Sequence, residues 1–145
     1  MDPLIVKQED KREVYYSVYW SKFRKAEKYD IASAVPSVGG VYELYYMDER
    51  KKLNLMFIDW VWYGGLRSRL RKITDPELIY EPRHKKILET HDCYYRYSLS
   101  NSSNDMKDVL YFFGKTHFPE DDFEHSGRYD TIFLEEHSPE KIVTL

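Results

Sequence analysis

The chain has 145 residues, a length that predicts one domain with a single hydrophobic core. Leu, Ile, Val and Phe supply 36 of these residues, which places the composition above that of disordered chains, so the sequence is expected to fold. The net charge is only −3 although 32% of the residues are charged, and this balance excludes a strongly basic nucleic-acid coat protein. A local basic surface is compatible with it.

The cysteine content and the hydropathy predict a cytoplasmic protein without a membrane partner. The single cysteine, Cys93, cannot form an intramolecular disulfide or a thiolate zinc site. The first residues lack the apolar stretch of a signal peptide, and no run is long enough to span a bilayer. The five histidines show no pair at the spacing of helical metal ligands, so the pattern gives no support for zinc.

The first third of the chain contains one predicted helix. Residues 1–13 have no apolar period and are predicted to form a flexible terminus. An apolar stripe at helical spacing predicts a helix over residues 21–32. Pro36 and the Gly39-Gly40 pair then break the chain.

Two strands and a short basic helix are predicted next. Residues 40–46 and 53–63 are rich in β-branched and aromatic residues and are separated by a polar tract, which predicts an antiparallel pair. The second strand is almost apolar on both alternating faces, so the sheet is expected to be covered on both sides. Leu66, Leu70 and Ile73 then share one helical face, which predicts a helix that ends before Asp75-Pro76.

The last part of the chain contains a third strand and a longer helix. Residues 77–90 have a mixed pattern, with a helical turn expected near Ile87. Residues 92–99 are predicted to form a strand, and a helix is expected to begin near Asp105 and to end before Pro119. Its predicted buried stripe consists of Met106, Val109, Leu110 and Phe113. The acidic tract 120–124 is expected to be a solvated loop, and residues 129–134 a last edge strand.

Two triplets mark the two central strands. Gly40-Val41-Tyr42 begins the first strand, Tyr63-Gly64-Gly65 ends the second, and Leu66-Arg67-Ser68-Arg69-Leu70 opens the basic helix. Over residues 38–119 this pattern resembles the GIY-YIG nuclease family. The resemblance implies an α+β fold with a small three-stranded antiparallel sheet flanked by helices. It also implies metal-dependent hydrolysis of phosphodiester bonds in nucleic acid, with DNA as the first expectation.

The resemblance also implies roles for individual residues. Tyr42 and Tyr63 would face one catalytic cleft, where one of them helps to deprotonate the attacking water, and Arg69 would hold the phosphate. An acid on the later helix would bind Mg²⁺ or Mn²⁺, and Asp108 is the candidate for this metal ligand. The chemistry is coherent, because phosphodiester hydrolysis needs an activated water and positive charge on the nonbridging oxygens.

The basic helix divides its cations between two directions. Arg69 lies at roughly 60° from the centre of the buried face, so its guanidinium is expected to reach the cleft. Arg67, Arg71 and Lys72 point farther from that face and are the predicted nucleic-acid contacts.

Two residues favour a catalytically inactive module with the same fold, which would bind nucleic acid or a protein partner. Ile73 stands where the family often has His or Tyr, and Asp108 is the counterpart of a family Glu. Ordinary structural roles also stay open: half-buried strand tyrosines, an arginine packed over apolar surface, and a carboxylate on a helix surface.

Overall fold

A computed structural model describes residues 2–140, in which two β-sheets pack with four α-helices. The strands in chain order are β1 (Ile5–Asp10), β2 (Glu13–Tyr19), β3 (Arg24–Lys25), β4 (Gly40–Met47), β5 (Leu53–Val61), β6 (Cys93–Leu99) and β7 (Thr131–His137). The helices are α1 (Lys28–Ala34), α2 (Gly65–Ile73), α3 (Pro82–Thr90) and α4 (Ser103–His117), with a single 3-10 turn at Pro76–Leu78. The expected α+β class is confirmed.

The larger sheet has four strands in the order β3-β6-β4-β5, and all of its neighbours are antiparallel. The predicted β4–β5 pair and the third strand, β6, are confirmed. The predicted number of three strands is wrong, because β3 adds a fourth strand at the edge. β3 has only two residues, Arg24 and Lys25, and both are exposed, so backbone pairing with β6 left no apolar alternation to detect.

Helices cover both faces of this sheet, as the apolar pattern of β5 predicts. Tyr42 packs in one core cluster with Leu66 and Leu70 of α2. Val41, its neighbour on β4, packs in the other cluster with the residues of α4. We call these the Tyr42 face and the Val41 face. The predicted stripe of α4 is confirmed, since Met106, Val109, Leu110 and Phe113 are all buried on the second of them.

The smaller sheet has the order β1-β2-β7, with β1 antiparallel and β7 parallel to β2. Val14, Tyr16 and Val18 of β2 belong to the same core cluster as the buried stripe of α4 and as Val41. The helix α4 therefore contacts both sheets. The predicted edge strand at 129–134 exists as β7, which begins and ends two to three residues later.

The start of the chain corrects one prediction. Residues 1–13 were expected to be flexible, but β1 pairs along its whole length with β2, from Ile5 opposite Val18 to Asp10 opposite Glu13. The side chains of β1 are mostly exposed, so an apolar period could not reveal it. Backbone hydrogen bonds at a charged edge strand need no such period.

The helix predicted over 21–32 begins later, at Lys28. The carboxylate of Glu27 caps it by accepting hydrogen bonds from the backbone amides of Tyr29 and Asp30. Phe23, which fits the helical period, instead packs edge-on against Tyr45 at 5.2 Å between ring centroids. Tertiary packing thus replaces the first half of the predicted helix with extended chain.

The mixed segment 77–90 forms more helix than its pattern suggests. The 3-10 turn comes first, and α3 follows with Pro82 at its first position and Glu81 as its cap. The helix α4 begins at Ser103, two residues before the predicted start, and Ser102 caps it. Within residues 2–140, every helix is too short or too polar to cross a membrane.

Candidate functional site

Glycines of both triplets allow α2 to lie close against β4. Gly64 and Gly65 have positive φ angles of 83° and 76°, which form the sharp turn from β5 into α2. A Cβ atom on Gly65 would lie 2.6 Å from the backbone carbon of Ser37, and one on Gly40 would lie 2.6 Å from Cδ1 of Leu66. The missing side chains at Gly40 and Gly65 therefore allow α2 to pack closely enough for its side chains to reach the Tyr42 face.

The structure brings Tyr42 and Arg69 together. Tyr42 on β4 is buried, and its hydroxyl accepts a hydrogen bond of 3.2 Å from Nη1 of Arg69 on α2. Leu66 and Leu70 are fully buried on the same helix, so Arg69 emerges beside the packed stripe as its helical position predicts. The tyrosine hydroxyl thereby holds one end of the guanidinium at the edge of the core.

Asp59 is the carboxylate next to this pair. It lies opposite Tyr42 in the β4–β5 register, and its Oδ2 is 3.9 Å from Nη1 of Arg69. The Arg69 side chain is 36% exposed and the Asp59 side chain 50% exposed, so this ion pair is open to water. An exposed pair of this kind contributes little stability, and both groups can still meet a ligand.

The environment of Tyr42 keeps its hydroxyl protonated. Burial, followed by the nearby negative charge of Asp59, raises the pKa of Tyr42 to about 12, although Arg69 acts in the opposite direction. A phenol with this pKa is a poor base near neutral pH. The geometry therefore gives Tyr42 the role of positioning Arg69.

Tyr63 does not share the buried environment of Tyr42. It lies in the turn after the end of β5, and its side chain is 89% exposed. The two triplet tyrosines thus occupy different environments, one inside the core and one in water. The structure does not assemble the single two-tyrosine cleft that the resemblance implies.

Asp108 is also separated from the Tyr42–Arg69 pair. It is completely buried on α4, which covers the Val41 face. Its carboxylate accepts hydrogen bonds of 2.7 Å from the Tyr16 hydroxyl and 2.7 Å from Nη2 of Arg128, and a further one from the Ser126 hydroxyl. These donors occupy the oxygens that a metal ion would need. The predicted metal ligand is therefore part of the core.

A divalent cation does not fit the predicted ligand set. Within residues 2–140, no group of three or more His, Cys, Asp or Glu side chains is placed to hold a metal ion. Beside Arg69 the structure offers one carboxylate, Asp59, at the distance given above. Magnesium sites use one or two carboxylates together with phosphate oxygens of a substrate. Asp59 is a more suitable candidate ligand than Asp108, because Asp59 is half exposed and Asp108 is fully buried.

The remaining predicted contacts meet in one cleft. Arg67, Arg71 and Lys72 line a cavity of about 720 Å³, together with Lys28 of α1. Nε of Arg67 donates a hydrogen bond of 2.7 Å to the carbonyl of Val35, which fixes the stem of that side chain. Asp75 and Glu77 are the acids in the lining, so cations outnumber acids four to two. We call this cavity the basic cleft.

Two members of these sites escaped the sequence analysis. Asp59 carried a usable signal, because it is a charged residue within an otherwise apolar strand. Lys28 carried none, because it is 39 positions before Arg67 and only the packing of α1 beside α2 brings it to the basic cleft. Arg71 and Lys72 also lie in the last turn of α2, where positive charges interact favourably with the negative end of the helix dipole.

Comparison with known proteins adds a family and no activity. A family model with the description "Uncharacterised protein" matches residues 4–145, so the chain belongs to that family. No curated protein and no solved structure matches the chain. Function is therefore inferred from the geometry of the site.

Proposed function

We propose that this member of an uncharacterised family binds nucleic acid through phosphate contacts in the basic cleft. The observation that carries the proposal is the convergence of Arg67, Arg71 and Lys72 with Lys28 in one cavity. Three of these four cations are the nucleic-acid contacts expected from the sequence. Neighbouring phosphates of a nucleic-acid strand would meet several of them at once.

The charge distribution supports this proposal. The chain as a whole is net negative, at −3, whereas the lining of the basic cleft has twice as many cations as acids. A protein of this kind attracts phosphate to one surface and repels it from the others. Release of counterions from the nucleic acid would supply the affinity, so binding should weaken as salt rises.

Titration with DNA at increasing salt tests the proposal. The double variant Arg71→Gln/Lys72→Gln removes two exposed cations from the cleft. The plot of log K against log salt has a negative slope, and the double variant should make it shallower by about 2, since each neutralised phosphate contributes roughly −0.9. The matched control is Arg50→Gln/Lys52→Gln, which removes two exposed cations from the β4–β5 loop.

Two results would contradict the proposal. An equal change of slope in both double variants would show that affinity depends on net charge and that the basic cleft is not the binding site. Absence of DNA and RNA binding at low salt would leave recognition of a protein partner as the role of this surface.

Metal-dependent phosphodiester hydrolysis is the second candidate function, and the Tyr42–Arg69 hydrogen bond is the observation that favours it. Arg69 is held in place yet partly exposed, as a group that neutralises phosphate must be. In this case Asp59, rather than Asp108, would supply the carboxylate for Mg²⁺ or Mn²⁺. The resemblance of the two triplets to the GIY-YIG nucleases is the further support.

Cleavage of plasmid and branched DNA in the presence of Mg²⁺ tests this second candidate. Hydrolysis by the native chain should be lost in Arg69→Ala and Asp59→Asn and kept in the control Arg50→Gln. Activity that survives both site variants would overturn the assignment of Arg69 and Asp59 as the catalytic residues. Binding without any cleavage would leave the non-catalytic function.

A further inference from the structure

Three tyrosines have the most exposed side chains among the large hydrophobic residues of the described chain. Tyr29 is 77% exposed, Tyr63 89% and Tyr80 96%. Isolated hydrophobic side chains on a surface are ordinary, but a group of them around one cavity marks an interaction site. The positions of these three relative to the basic cleft therefore matter.

Each of the three is a near neighbour of a residue that lines the basic cleft. Tyr29 directly follows Lys28, and Tyr63 directly precedes Gly64. Tyr80 is two residues after Leu78, which lines the cleft and is itself half exposed. Successive Cα atoms are about 3.8 Å apart, so all three backbones lie within about 8 Å of a lining residue. None of the three rings lines the cavity itself, but three separate segments each place an exposed tyrosine within one or two residues of its lining.

The exposed aromatic residues of the smaller sheet behave differently. Tyr15 and Phe133 stack on each other, with ring centroids 4.7 Å apart and planes 8° from parallel. Among residues 2–140, the aromatic ring pairs of the structure include neither Tyr29, Tyr63 nor Tyr80. The rings of Tyr29, Tyr63 and Tyr80 therefore keep their faces for a ligand.

Cations beside unpaired aromatic rings suit one form of nucleic acid. Proteins that bind single strands contact the backbone with Lys and Arg, and they stack successive bases on aromatic side chains. The bases of a duplex are already stacked on each other, so the same rings give a duplex little extra affinity. Exposed tyrosines near the cleft consequently raise the affinity for unpaired strands more than for duplex, whereas the cations of the cleft attract both.

We infer that the basic cleft prefers single-stranded nucleic acid to duplex, with bases stacked on Tyr63 and Tyr80. This inference rests on the proposed function, because the phosphates of the same strand must contact Arg67, Arg71 and Lys72.

Fluorescence anisotropy with two labelled probes tests the inference. The probes are a 20-nucleotide dT strand and a 20-base-pair duplex, measured at the same low salt. The double variant Tyr63→Ala/Tyr80→Ala should bind the single strand at least about tenfold more weakly, since each lost stacking contact costs about fivefold or more. Its affinity for the duplex should change less than about twofold.

Two further variants separate stacking from other effects. Tyr63→Phe/Tyr80→Phe keeps both rings and should restore single-strand binding to within about twofold of the native chain. Tyr15→Ala removes an exposed ring on the smaller sheet and should leave both affinities unchanged. Because Tyr63 and Tyr80 are almost completely exposed, their alanine variants should have the same melting temperature as the native chain.

The outcomes distinguish failure of this inference from failure of the proposed function. Equal affinity for both probes, insensitive to the tyrosines but reduced in Arg71→Gln/Lys72→Gln, would overturn the single-strand preference and leave phosphate binding intact. Binding of neither probe would overturn the proposed function and this inference with it. A single-strand affinity that falls equally in the alanine and phenylalanine variants would overturn stacking.

Discussion

Two groups of Tyr, Arg and Asp side chains lie on opposite faces of the four-stranded sheet, and they differ in whether the aspartate is open to water. On the side of α4, Asp108 is fully buried and accepts hydrogen bonds from Tyr16 and Arg128. On the Tyr42 face, the hydroxyl is buried but Arg69 and Asp59 remain half exposed. The same residue types therefore anchor the fold on one face and stay accessible to a ligand on the other.

Partners across long stretches of chain explain why the α4 group is closed. Arg128 also donates to Asp105 at 3.0 Å, and Lys7 on β1 donates to the same carboxylate at 3.0 Å. This network ties the start of the chain, α4 and the segment before β7 to one another. Its carboxylates accept hydrogen bonds from several donors, although Nε of Arg128 is buried without a partner, and we assign the network a role in stability.

Replacement of the two aspartates by alanine should give the largest contrast. Asp108→Ala removes the nearer of two acceptors for both Tyr16 and Arg128 and leaves them only Asp105, and we expect the free energy of unfolding to fall by about 3–5 kcal/mol. Asp59→Ala removes an exposed ion pair and a hydrogen bond from the backbone amide of Trp60, and it should change the free energy of unfolding by less than about 1 kcal/mol. Urea denaturation of both variants measures the difference. Equal losses would show that the Asp59 group is also a structural anchor.

The two glycines before α2 should differ nearly as much. Gly65→Ala combines a positive φ with a Cβ 2.6 Å from the backbone of Ser37, and we expect a loss of about 2–4 kcal/mol. Gly64→Ala has a similar φ but open space around its Cβ, so only about 1 kcal/mol should be lost. Thermal unfolding of both variants checks this order. The reverse order would mean that α2 is not seated by the close approach to Ser37.

Acid should weaken the closed network in a way that depends on Asp105. Burial by itself would raise the pKa of Asp105, but hydrogen bonds from Lys7 and Arg128 outweigh it and hold the pKa below the ordinary 3.8. A lowered carboxyl pKa adds stability above the ordinary value, and this contribution is lost as pH falls through the lower folded-state pKa. We expect Asp105→Asn to cost roughly 1–2 kcal/mol at pH 7 and to flatten the decline below pH 4.

Urea titrations of the native chain and of Asp105→Asn at pH 7, 4 and 3 test this dependence. The gap between the two should narrow as the pH falls. A constant gap at all three values would mean that the charge of Asp105 contributes nothing to folding.

The two triplet tyrosines should show the smallest contrast. Tyr42→Phe removes the acceptor for Arg69 and should cost about 0.5–1.5 kcal/mol, since one hydrogen bond at the edge of the core is lost. Tyr63→Phe changes only a hydroxyl in water and should cost nothing measurable. Equilibrium unfolding compares the two. A loss in Tyr63→Phe equal to that in Tyr42→Phe would indicate that Tyr63 also makes a structural contact.

Elements with a clear local pattern were predictable from the sequence. The β4–β5 pair, α2 and the buried stripe of α4 follow from alternation or from helical spacing, which are set by neighbouring residues. The strands β1 and β3 were not predictable, because exposed charged residues enter a sheet there through backbone pairing alone. The early start predicted for α1 failed because Phe23 finds an aromatic partner on β4.

The candidate site shows the same division. Helical spacing placed Arg69 beside the buried face, and the structure adds its hydrogen-bond partner. The resemblance to the nuclease family drew attention to Asp108, but its partners Tyr16 and Arg128 are 92 and 20 positions away in the chain. A helical pattern says which residues share a face and cannot say which distant side chains will meet them.

The sequence by itself determined the α+β class, the basic character of α2 and the Gly64-Gly65 break that precedes it. These properties depend on residue type and on spacing over a few positions. Only the tertiary structure decided that Asp59 lies beside Arg69, that Asp108 is enclosed, and that Lys28 joins the cations of α2 in one cavity. Those outcomes depend on which segments pack together, because burial and long-range contacts determine whether a charge is neutralised or left for a ligand.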